Sequence, residues 1–138
     1  MKSFNIKPLL TAIVIAACTF VSCKKDKDAP APSPESIMKG TWEGLYGFDQ
    51  ETPAKYFAII IEKNGSLQVR ANDKNNPQIG TGTWTLHENV FTAVYQYEGQ
   101  ISTYNMAAKL DGGQKKLTGS WGTGDKNADD GVFYMNKQ

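Results

Sequence analysis

From residue 40 onward the chain never runs far without a short turn signal, and that spacing constrains its fold more than any other feature. Asn64-Gly65 is the strongest kind of hairpin signature, and His87-Glu88-Asn89, Glu98-Gly99-Gln100 and Asp111-Gly112-Gly113-Gln114 extend the pattern. Between the turns lie eight strand-like segments, at 41–48, 56–62, 66–72, 80–86, 90–97, 101–110, 115–122 and 132–136. Connections this short force neighbouring strands to be antiparallel. Eight such strands without a crossover helix most simply close into a small all-β up-and-down barrel, which removes the sheet edges that would otherwise aggregate. A β-sandwich is the alternative. It requires long connections between sheets, for which only 49–55, 73–79 and 123–131 are candidates. Residues 33–40 read as one helical turn ahead of the strands, with Ser33 as N-cap, Pro34 at the first position and Gly40 as terminator.

A tripeptide recurs on the first, fourth and seventh strands: Gly40-Thr41-Trp42, Gly82-Thr83-Trp84 and Gly119-Ser120-Trp121. Side chains alternate along a strand, so glycine and tryptophan share a face, and the glycine is expected to clear space for a large ring in a narrow interior. Trp42, Trp84 and Trp121 are therefore expected to form barrel core and to plug one end; a ligand-stacking platform is the other reading of the same indoles. With Trp42 inward, Gly44, Tyr46 and Phe48 follow on its face, and Tyr104, Met106, Ala108 and Leu110 make the matching inward row on the sixth strand. The second strand is apolar on both faces through Ala58-Ile59-Ile60-Ile61, which exceeds what a half-buried strand needs. The segment Ile37-Met38 is expected to cover its outer side, with a partner protein as the alternative cover.

The N-terminus has a different character. Lys2 and Lys7 precede an almost continuously apolar run from Pro8 to Ser22, the order of a secretory signal, and that run is shorter than the roughly 20 residues a spanning helix requires. Phe20-Val21-Ser22-Cys23 closes the run and Lys24-Lys25-Asp26-Lys27-Asp28 follows at once, an arrangement that resembles the signal of bacterial lipoproteins. The resemblance implies cleavage before Cys23 and its lipidation, with Ile15-Ala16-Ala17-Cys18 as the competing site. The chain then divides into a signal peptide (1–22), a lipidated cysteine with a charged, proline-rich tether (23–36) and a barrel domain (37–138). Lys24 stands where an aspartate tends to retain such proteins in the inner membrane, so the resemblance implies lipid anchorage in the bacterial outer membrane, facing either the periplasm or the cell surface. The alternating prolines of 29–34 favour a semi-rigid extended spacer.

Loss of 1–22 reduces the 15 basic residues to 13 against 14 acidic ones, a net charge of −1. This balance opposes nucleic-acid binding, which calls for a clustered basic surface. No free thiol would remain in the mature chain, so disulfides, cysteine–zinc sites and thiolate nucleophiles are not expected.

A short turn leading into Gly40-Thr41-Trp42 on the first of eight meandering strands also resembles the lipocalins and fatty-acid-binding proteins, the calycin-type barrels. That resemblance implies that Trp42 packs at the closed end, beneath a basic residue from the last strand, for which Lys137 is the candidate. It further implies a non-catalytic scaffold that binds a small amphipathic ligand or a glycan. An eight-strand barrel holds side chains or one small ligand, so a large lipid would fit badly. Tyr46, Arg70, Tyr95, Tyr97 and Tyr104, with Tyr56, are the candidates for lining its mouth and fixing a sugar or an anion. An interaction module, either an accessory subunit of an envelope complex or an inhibitor of a hydrolase, is the other function class, with the outer face of the second strand or a barrel-end loop as its surface.

Signals for catalysis are sparse. His87 is the one histidine and sits in a turn, and no motif singles out a carboxylate pair among Glu43, Glu62, Glu88 and Glu98. No cofactor is expected. Asp125, Asn127 and Asp129 alternate as calcium ligands do, but Gly131 comes one position late and Asn136 stands in place of the closing glutamate of an EF-hand loop.

Overall fold

The computed structural model describes residues 30–124 and 128–138, and Ala31–Gln138 forms a compact unit. A single-turn helix, α1 (Pro34–Met38), leads into β1 (Gly40–Tyr46), β2 (Lys55–Ile61), β3 (Ser66–Asn72), β4 (Gln78–His87), β5 (Val90–Tyr97), β6 (Thr103–Leu110), β7 (Lys116–Thr123) and β8 (Gly131–Lys137). Each strand pairs antiparallel with the next, and β8 pairs with β1, so the sheet closes into a barrel in sequence order. The expected up-and-down barrel is therefore the fold, and the sandwich is not. The β1–β2, β3–β4, β5–β6 and β7–β8 connections lie at one end of the barrel, the two longest, at 47–54 and 124–130, among them; α1 and the β2–β3, β4–β5 and β6–β7 turns occupy the other.

Local chemistry explains the tight end. Asn64 and Gly65 both adopt left-handed backbone, with φ of 65° and 72°, in the three-residue turn Lys63–Gly65 that the Glu62 amide closes by donating to the Ser66 carbonyl at 3.1 Å. The Ser33 side chain accepts from the Ser36 amide to cap α1, and the Asp111 carboxylate gathers the amides of Lys115 and Lys116, each at 2.7 Å, to fix the β6–β7 turn.

Alternation carries the fold inward. On β5, Phe91, Ala93, Tyr95 and Tyr97 are buried while Val90, Thr92, Val94 and Gln96 are exposed. The core of the closed half unites Met38, Trp42, Ile59, Ile61, Leu67, Val69, Trp84, Phe91, Leu110, Leu117 and Met135. Polar residues such as Glu43, Gln68, Thr92 and Lys109 occupy outward positions, the reverse of a membrane-spanning barrel, whose outer band is apolar.

Two expectations are corrected here. The helix does not cover the outer side of β2; fully buried Met38 enters the core at the closed end, and Lys137 Nζ donates to the Ile37 carbonyl there. Ala58 is nonetheless buried on the outer side, in register between Glu43 and Arg70, and Ile60 is half-buried, so β2 presents no large exposed apolar residue. The exposed large apolar side chains among the described residues are Phe48, Val90, Val94 and Ile101 instead. Nor do the glycines of the repeated tripeptide mainly make room for indoles. A Cβ at Gly82 would lie 2.0 Å from the Val94 carbonyl oxygen, and one at Gly119 2.0 Å from that of Ala107. These glycines let adjacent backbones close together as the small barrel bends.

Candidate functional site

The two ends of the barrel differ in chemistry because strand direction decides which residues reach which end. At the closed end, fully buried Trp42 donates from Nε1 to the Met38 carbonyl at 2.8 Å, and Lys137 Nζ stands 5.5 Å from the indole centroid. The basic residue of the last strand thus lies over Trp42 as expected. Trp84 stacks on Phe91, with centroids 6.2 Å apart and planes at 23°, and donates to the Ser66 carbonyl.

Trp121 does not join them. It is the sixth residue of β7, which runs from the closed end to the open one, so its ring reaches the mouth. There its Nε1 donates to the Gly47 carbonyl at 3.0 Å, and its face meets the edges of Tyr46 (5.7 Å) and Phe48 (5.4 Å). The three tryptophans therefore do not plug one end; two seal the base and the third forms part of a cup.

The cup has a volume of about 300 Å³ and opens between the long loops. Phe57 lines it from below, packed edge-on against buried Phe133 at 5.5 Å. Tyr95 and Tyr104 form one wall, nearly parallel at 22° with centroids 5.5 Å apart, and Tyr97 meets both edge-on. Tyr46 forms the facing wall and donates its hydroxyl proton to Asn72 Oδ1; Asn72 Nδ2 in turn donates to Gln78 Oε1 at 2.9 Å. Tyr104 donates to Gln100 Oε1 at 3.0 Å. Lys55 and Phe48 complete the rim, with Nζ 4.6 Å from the Phe48 centroid.

Burial dominates the electrostatics of this aromatic wall. It raises the Tyr46 hydroxyl above the ordinary phenol range, raises that of Tyr95 much further, and pushes that of Tyr97 up to about 12. Neighbouring phenols add to the rise at Tyr46 and Tyr95, since a phenolate beside another would be repelled. These three groups are therefore neutral at physiological pH. Among the described residues lining the cup there is no carboxylate, and Lys55 is the one charged group.

Four of the six expected mouth residues, Tyr46, Tyr95, Tyr97 and Tyr104, are brought together here. Arg70 is not. The alternation that turns Leu67, Val69 and Ala71 inward sends Arg70 to the outer surface, where its Nε donates to Gln68 Oε1 at 2.9 Å; Tyr56 is likewise outward. Lys55, Asn72, Gln78 and Thr123 were not expected from the sequence, whereas Trp121 was expected as core, with a ligand-stacking platform as the other reading. Those four stand at strand ends, and counting strand directions around a closed barrel would have placed them at the mouth.

His87 is exposed at the end of β4, and Glu43 pairs on the outside with Lys74 at 2.5 Å. Of the calcium candidates, Asp125 and Asn127 lie outside the described residues and Asp129 is exposed. Among the described residues no cluster of three His, Cys, Asp or Glu side chains is placed to hold a metal ion. Cys18 and Cys23 also lie outside the described residues. No protein-family model matches the chain, and no curated protein matches it in sequence.

Proposed function

We propose that this protein is a membrane-tethered, non-catalytic ligand-binding module of the lipocalin-like kind, anchored through a lipidated Cys23 and holding a small amphipathic molecule or glycan fragment in its cup. The carrying observation is the asymmetry of the barrel: one end is packed solid, while the other keeps an open, aromatic-walled space of about 300 Å³. A cup meant only for stability would be filled, because interiors of this size are otherwise close-packed. Its volume lies at the lower limit of small-molecule sites, so the ligand is of one- or two-ring size rather than a long acyl chain. Neutral phenols and side-chain amides suit recognition by stacking and hydrogen bonding, and nothing in the cup pairs a nucleophile with a base.

Native mass spectrometry of residues 29–138, purified after exposure to extract of host cells, tests this reading. A reproducible added mass that is lost on denaturation is the expected result; a bare protein mass at every extract concentration would overturn it. The alternative of a protein-interaction module rests on exposed Val90 and Val94 of β5 and on Ile101, 96% exposed beside the mouth, and not on β2.

A further inference from the structure

Charge narrows the ligand further, an inference that rests on the cup being a binding site. Lys55 opens β2 on the same face as Phe57, Ile59 and Ile61, so its side chain belongs to the inward row and stands at the rim rather than on the outer wall. Its ammonium lies over Phe48, whose ring packs against Trp121. The other cations of the open half that the structure describes are committed elsewhere: Lys74 to Glu43, and Arg70 to Gln68 on the outside. Among the described residues no carboxylate lies within ion-pair distance of Lys55 and none lines the cup. A cation would be repelled by Lys55, whereas a single negative charge would find its complement there; the mouth carboxylate of Asp130 does not line the cup and accepts from the Thr123 amide at 2.7 Å. The wall opposite is made of flat rings, two of them nearly parallel, and the free volume corresponds to about ten water-sized groups. A fused pair of rings bearing one acid group matches both dimensions.

We propose that the cup selects a small planar monoanion, its ring system seated among Tyr46, Tyr95, Tyr104 and Trp121 and its acid group held at Lys55. The Tyr46–Asn72–Gln78 chain of hydrogen bonds fixes one side of the cup without adding charge.

The test compares 1-naphthoate, 1-naphthalenemethanol and 1-naphthylmethylammonium by ligand-observed NMR and calorimetry on residues 29–138, with Lys55→Met and the reversed charge Lys55→Glu. Lys55 is exposed, so both variants retain the fold. Naphthoate is expected to bind about three- to tenfold more tightly than the alcohol, the ammonium least well. Lys55→Met removes the preference, Lys55→Glu inverts it, and added salt weakens naphthoate alone. Equal affinities of acid and alcohol, unchanged by Lys55→Met, would overturn the monoanion proposal and leave the binding cup standing. Binding of none of the three probes overturns this proposal for the planar-ring class, and the extract experiment then decides the cup by itself.

Discussion

At the scale of single residues, the same amino acid does different work according to the end of the barrel it occupies. Trp42 is enclosed and satisfied: its indole proton goes to the Met38 carbonyl, and removing that ring leaves both a void and an unpaired carbonyl. Trp42→Phe is therefore expected to cost about 2–3 kcal/mol in urea unfolding, and Trp121→Phe less, because its ring already borders open space. The buried phenols give the site a pH signature. Their folded pKa values lie above those of the unfolded chain, so their contribution to stability is complete below the ordinary phenol pKa near 10 and is lost as pH rises through the folded values. An absorbance titration at 295 nm should show a late phase from Tyr46, Tyr95 and Tyr97, with Tyr97 ionising near pH 12 or together with alkaline unfolding, and Tyr97→Phe should remove part of that phase. Complete ionisation of every tyrosine near pH 10 in a folded barrel would contradict the burial.

At the scale of elements, the strand plan was legible from turn chemistry and the lining of the cup only in part. Asn64-Gly65 and the glycine-rich connections mark where the chain reverses, and strand alternation sorts the rows, which is why all eight strands and the inward row of β6 were expected where they stand. The repeated Gly-x-Trp misled because a local tripeptide carries no record of its height along a strand: Trp42 is the third residue of β1, whereas Trp121 is the sixth of β7, which runs the same way. Arg70 misled for a related reason, since its position near the mouth end of β3 says nothing of its parity until the pairing register is known. The glycines answer to strand bending, which is a property of neighbours and not of the segment. Gly82→Ala should thus cost about 2–3 kcal/mol through backbone displacement, whereas Gly112→Ala, with nothing near its absent side chain, should be close to neutral. The β6–β7 turn has a pH dependence of its own. Backbone amides of Lys116 and Lys115 lower the Asp111 pKa, so its support is present above the ordinary carboxylate pKa and fades as pH falls through the folded value. The urea midpoint of Asp111→Ala should lie below that of the wild type at pH 7 and converge on it in strong acid.

At the scale of the whole molecule, a closed barrel, an aromatic cup and a lipoprotein-like leader are the three features on which the proposal of a membrane-tethered binding module rests. Metabolic labelling with a palmitate analogue should mark the wild type and Cys18→Ser but not Cys23→Ser; retention of label in Cys23→Ser would move the anchor to Cys18. The central claim is that the open end, and not the sealed one, takes up a ligand, and the three indoles report on it separately. A ¹H–¹⁵N NMR titration of residues 29–138 with the small-molecule fraction of host extract measures this most directly. The Trp121 indole resonance is expected to move and saturate while those of Trp42 and Trp84 stay in place. Immobility of all three, or movement confined to Trp42 and Trp84, would contradict it.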